Sequence, residues 1–117
     1  MTFAEEIESR REELVKKLLE VAPRAPGVSD AESEQMIAGY LHLMSAAARG
    51  DTKPRDEYLS TVIPGVKHAG MGLGYIVKVL VSLDLTLVQL ISPEHRAWMT
   101  NHCADYADRL ANAWEKA

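Results

Sequence analysis

At 117 residues the chain makes one domain, which buries roughly 60–70% of the surface its unfolded form exposes, so the core needs neither disulfide nor metal as a staple. Cys103 is the sole cysteine, which excludes an internal disulfide framework and a CxxC-type zinc site and fits a reducing, cytoplasmic setting. The formal net charge of −4 is spread along the chain, with no basic cluster beyond Arg10-Arg11 and Lys16-Lys17, so nucleic acid is not an expected partner.

The opening Met1 to Arg11 mixes acids and bases without an apolar h-region, unlike a secretory signal. Thr2-Phe3-Ala4-Glu5 has the spacing of a capping box, and Phe3, Ile7, Leu14, Leu18 and Ala22 recur on one side behind it. The first helix is therefore predicted from about Phe3 to Val21. Pro23, Pro26 and Gly27 make Ala22 to Val28 a connector, because proline lacks the amide donor and disfavours helix in the residue before it.

Ser29-Asp30-Ala31-Glu32 repeats the capping box. Met36, Ile37, Tyr40, Leu41, Met44, Ala47 and Ala48 then hold one face of a second helix that Gly50 stops. A third helix starts near Lys53-Pro54, with Tyr58, Leu59, Val62, Ile63 and Val66 inward. Pro64 removes the bond to the Ser60 carbonyl, so a break or sharp bend is expected there.

Gly70 and Gly72 form a corner into a fourth helix. Leu73, Ile76, Val77, Leu80, Leu83, Leu87, Val88 and Ile91 fill its apolar face, which Val79, Val81, Leu85 and Leu90 widen. The stretch Met71 to Ile91 is interrupted by Lys78 and Asp84, each costly at a bilayer centre, so it reads as a buried helix and no membrane is expected. A helix apolar over most of its circumference is central to a bundle or shared with a partner, and a homodimer is the expectation. Ser92 caps a fifth helix with Pro93 at its first position and Met99, Cys103, Tyr106, Leu110 and Trp114 inward. No period-two alternation or turn-bounded β-branched run places a strand, so the fold class is all-α in a single domain.

Several polar residues stand out against this apolar pattern. Tyr40 and Met44 face the core and would line any ligand cavity, with ordinary packing the competing reading. Asp84 falls among Leu80, Leu87 and Ile91, where an isolated carboxylate costs several kcal/mol unless paired, protonated or facing water. It either bonds a partner across a dimer seam, lines a polar cavity, or reaches solvent. Trp98, His102, Asp105 and Arg109 share a line on the last helix, either an interface strip anchored by Trp98 or a solvated face carrying one Asp105–Arg109 pair. His42 lies opposite the Met36-Tyr40-Met44 stripe and reads as a surface residue. His95 and His102 lack HxxxH spacing, so no metal site is expected from them.

Catalysis finds no local signature. Gly70-x-Gly72-x-Gly74 has no strand before it, and Cys103 has core spacing without an electropositive setting, so the chain is not expected to be an enzyme.

The run Tyr40-Leu41-His42-Leu43-Met44, Arg49-Gly50-Asp51, Asp56-Glu57-Tyr58-Leu59 and His68-Ala69-Gly70-Met71-Gly72-Leu73 resembles the E, F and G helices of the sensor-globin superfamily. His68, Gly72 and Leu73 match that family's pattern of a proximal histidine followed four residues later by Gly and then Leu. In length and helix order the chain is most similar to the N-terminal domain of RsbR-type stressosome scaffold proteins, which resemble globins and usually lack haem. The resemblance implies a globin-like bundle of about five helices acting as a sensory or regulatory domain that dimerises and relays a signal through its C-terminal helices. It also implies an alternative, a haem protein sensing or carrying a diatomic gas with His68 as the iron ligand. A helical interaction module without a ligand is the third reading. The residues themselves call for no cofactor.

Overall fold

The computed structural model describes residues 1–24 and 27–117, and these are helical without strands. Pro26 of the expected connector lies outside the described residues. The helices are α1 (Phe3–Ser9), α2 (Arg11–Val21), α3 (Asp30–Ala48), α4 (Lys53–Glu57), α5 (Ile63–His68), α6 (Leu73–Leu90) and α7 (Arg96–Lys116). A π-helical turn, Tyr58–Val62, joins α4 to α5, and a 3₁₀ turn, Pro93–His95, leads into α7.

Both capping boxes form. The hydroxyls of Thr2 and Ser29 accept from the backbone N–H groups of Glu5 and Glu32, whose carboxylates accept in return from the cap N–H groups. The stop at Gly50 and the corner at Gly70 also form. Each glycine has φ near +85° (89° and 84°), and the next residue's N–H reaches back five positions, Asp51 to Ala46 and Met71 to Val66.

Several details depart from the sequence reading. The single first helix is two, broken at Arg10 (φ −109°, ψ 15°), which lets α1 lie on α3 while α2 packs against both α3 and α6. The bend at Pro64 is taken up just before the proline: the N–H of Ile63 bonds the carbonyl of Tyr58, five residues back, instead of Leu59. Proline cannot donate into the ladder and its ring crowds the carbonyl four residues back, so the ladder slips by one residue here. The slip keeps Leu59 and Ile63 buried but turns Val62, expected inward, out to 41% exposure. Lastly, Ser92 makes no side-chain cap. Its backbone N–H is used differently.

That N–H donates to the carboxylate of Glu6 (3.1 Å to Oε2), a buried acid that also takes Nη1 of Arg10 at 2.7 Å. The same Nη1 donates to the Leu90 carbonyl at 2.8 Å, so Glu6 and Arg10 pin α1 to the corner between α6 and α7. Phe3 stacks on His95 beside them, with ring centroids 5.4 Å apart.

The apolar interior is in two parts. The larger joins α1, α2, α3, α6 and the start of α7 through Phe3, Ile7, Leu14, Leu18, Ile37, Leu41, Leu83, Leu87 and Met99. The smaller gathers Leu59, Ile63 and Leu110, with Tyr58, Ile76, Leu80, Tyr106 and Trp114 half-buried around them. By length and mean hydropathy (1.7) α6 would suffice to cross a membrane, and 17% of its residues are buried in the fold. This corrects the reading of a buried helix: Val77, placed inward by the periodicity, and Val81 and Leu85, one turn apart, are exposed on its outer face, because α6 packs against the core along one side alone.

Burial opposes the charge on Glu6, but the Ser92 and Arg10 donors outweigh it and hold the carboxyl below its ordinary range. A carboxyl lowered by folding adds stability above its unfolded pKa, about 4.3, and that stability drains away as pH falls through the folded value. Glu6→Gln is expected to lose about 1.5–3 kcal/mol in urea melts at neutral pH and to flatten the acid limb of the stability curve; an unchanged acid limb contradicts this role.

Candidate functional site

Between the two apolar clusters the interior is not filled. A cavity of about 680 Å³ lies among α3, the α4–π–α5 segment, α6 and α7, within the roughly 300–1,000 Å³ range of small-molecule sites. Gln35, Met36, Gly39, His42, Glu57, Thr61, Val62 and Met71 are its exposed lining residues and mark the mouth. Met44, Val79 and Leu83 are buried in its wall. All four tyrosines of the sequence, Tyr40, Tyr58, Tyr75 and Tyr106, line it.

Each element brings its part for a local reason. The α3 stripe that buries Ile37 and Leu41 against α1 and α2 leaves Met36, Tyr40 and Met44 one step around the helix, facing the gap. The π turn tilts Tyr58 and Thr61 toward the mouth. From α7, His102, Cys103 and Tyr106 close the far side.

The polar groups inside are few and connected. The Tyr40 hydroxyl donates a short hydrogen bond to Oδ1 of Asp84, spanning from α3 to α6. The Cys103 thiol lies against the same carboxylate. Desolvation raises the Asp84 carboxyl above its ordinary range, with the Tyr40 and Cys103 donors pulling the other way. Burial first, and then the charge of Asp84, push the Tyr40 hydroxyl and the Cys103 thiol up, so both stay protonated. A thiol held protonated is a poor nucleophile. Burial and the nearby Arg55 guanidinium lower His102, which is therefore neutral near pH 7.

Arg55 is 5% exposed and also lines the cavity; its Nε and Nη1 face Asp56 and Asp105, each at 3.4 Å, and Asp105 is shared with Arg109 at 2.8 Å. The Asp105–Arg109 pair read from the sequence thus exists and is joined by a third partner.

The structure brings Tyr40, Met44, Asp84 and His102 to this one cavity. Asp84, read as a seam, cavity or solvent residue, and His102, read as an interface or solvated one, both line it: the carboxylate accepts from Tyr40 of its own chain, and the imidazole stacks on Trp98 with centroids 4.8 Å apart. Trp98 itself is held edge-on to Phe3 at 5.4 Å and keeps 37% of its surface exposed. His68 stands apart. It is exposed at the C-terminal end of α5 and is not among the lining residues, because the helix ends there and the Gly70 corner carries the chain away. The imidazole that haem iron would need on the cavity side is therefore not supplied by His68, and the arrangement does not fit haem held on that residue. No group of three or more metal-ligating side chains occurs among the described residues.

Arg55 and Tyr75 were not marked by the sequence. A lone arginine after Pro54 reads as a surface residue, and Tyr75 sits off the main stripe of α6. Comparison with protein families, with curated proteins and with solved structures gives no match for this chain.

Tyr40→Phe removes the donor and leaves the Asp84 carboxylate short of a partner in an apolar wall, with an expected loss of about 1–3 kcal/mol by denaturant melt. Pairing it with Asp84→Leu should recover most of that loss, since two apolar groups have no bond to miss; equal losses in single and double variants would mean the bond contributes little.

Proposed function

We propose that this chain is a non-catalytic sensory or regulatory domain of globin-like kind, which takes a small, largely apolar molecule into the cavity and relays its presence through α6 and α7. The observation that carries the reading is the position of the cavity between two separate apolar clusters. A ligand lying there touches Tyr40, Met44 and Leu83 of one cluster and Tyr58, Leu80 and Tyr106 of the other, and so joins what the empty fold leaves apart. Binding that orders two loosely coupled units is a way to pass a signal without chemistry. The half-buried, protonated thiol of Cys103 and the neutral His102 support binding over catalysis. The helix order and the Gly70-to-Leu73 corner support the likeness to globin-type sensors, in which the C-terminal helix leads to an output domain or scaffold.

The same reading places a second copy of the chain on the outer face of α6. Val77, Val81 and Leu85 are 41%, 47% and 60% exposed at four-residue steps, a line free of charge that two copies can cover by a two-fold packing of like on like. Sedimentation is expected to find a dimer, and Leu85→Lys a folded monomer. A wild-type monomer, or partition of the chain into lipid vesicles, would overturn this part.

Ligand binding is tested by thermal melts against medium-chain alcohols, amines and carboxylates. At a hundredfold excess over Kd a bound molecule raises Tm by about 10 °C in a domain of this size. Gly39 lines the cavity and a Cβ there meets nothing within 4 Å, so Gly39→Phe should plug the mouth and abolish the rise while leaving the helical spectrum unchanged. A panel that moves neither protein would contradict the proposal.

A further inference from the structure

We infer that the ligand is an amphipathic organic cation, its apolar body in the cavity and its ammonium between the Asp84 carboxylate and the faces of the surrounding tyrosines. The inference rests on the reading of the cavity as a ligand site and adds the charge of what enters. Three ionisable side chains of fixed sign line the space, Arg55, Glu57 and Asp84. Arg55 already lies between two carboxylates, Asp56 and Asp105, so its charge is compensated by the protein. Glu57 is exposed at the mouth, where water screens it. Asp84 differs from both. Its hydrogen-bond donor is the neutral Tyr40 hydroxyl, the nearby Cys103 thiol is uncharged too, and no ion pair to it forms among the described residues. The charge left unbalanced inside the cavity is therefore negative.

The tyrosines point to the same class. With one phenylalanine and two tryptophans elsewhere in the sequence, every tyrosine is nonetheless drawn to this cavity, and three helical elements and the π turn are needed to assemble them. Tyrosine faces carry negative electrostatic potential that attracts alkylammonium groups, most strongly where water is excluded. A carboxylate ligand would meet Asp84 and Glu57 as like charges and would have to displace Asp56 and Asp105 from Arg55. A neutral ligand would leave Asp84 uncompensated. An ammonium supplies the missing partner, and its alkyl or aryl remainder covers Met44, Val79 and Leu83.

The test is calorimetric titration of the full chain with decyltrimethylammonium and decanoate, each below its micellar concentration, and with decanol below its solubility limit, so that one chain length is carried by three headgroups. The cation is expected to bind about tenfold or more tightly than either of the others. Asp84→Asn, close in size and checked for fold by circular dichroism, should bring the cation down about tenfold, to the level of decanol. Decanol equal to the cation in the wild type, or decanoate tightest, would overturn the inference while leaving the ligand cavity standing. Failure of all three to bind would overturn the cavity reading itself. The ranking in the wild type decides the matter even if the variant does not fold.

Discussion

A carboxylate on the wall-facing side of an apolar helix has to be accommodated somehow, and in this fold the hydrogen bond from Tyr40 to Asp84 accommodates it. The bond crosses from α3 to α6 in a region where side-chain packing does not close the gap. Were Asp84 a leucine, the space between the two helices would favour collapse; with a carboxylate there, and tyrosines around it, the space stays open. The cavity is thus less a packing defect than the consequence of placing a carboxylate without an ion pair and four phenols against a largely aliphatic interior.

That arrangement divides the domain into unequal halves. The larger cluster is closed by well-buried aliphatic residues and tied at its edge by Glu6 and Arg10. The smaller one has three buried members and borrows its remaining contacts from half-buried residues, of which Tyr58, Ile76, Leu80 and Tyr106 also border the cavity. Regions with few buried contacts open at low free energy, so the α4–π–α5 segment and the end of α7 are the parts a bound molecule stabilises most. Function as a sensor would follow from that inequality, with α7 carrying the effect along its length.

Much of this was written locally in the sequence. Capping boxes at Thr2 and Ser29 and glycine stops at Gly50 and Gly70 set helix ends where their chemistry requires, and the stripes through Leu41 and Leu83 found the core. The anomaly at Asp84 was visible as a polar residue out of place, though not which of its possible partners would win, because Tyr40 is 44 residues away. What periodicity could not supply was register. The slip before Pro64 rotates Val62 outward and opens the mouth beside Thr61, and neither residue's identity announces it. The break at Arg10 is equally silent, since a kinked helix and a straight one share the same apolar spacing. His68 looked like a ligand by its sequence pattern, and its exposure follows from where the helix ends, a property of the corner and not of the histidine.

The five methionines offer a direct readout of the central claim, that the cavity between the clusters receives a molecule. Met36, Met44 and Met71 line it, while Met1 is at the exposed start of the chain and Met99 is buried in the larger cluster away from it. In a methyl NMR titration with decanol, the account predicts that the signals of Met36, Met44 and Met71 shift together and saturate, with Met1 and Met99 unmoved. Shifts confined to Met1 or Met99, or no saturable shift at all, would contradict it.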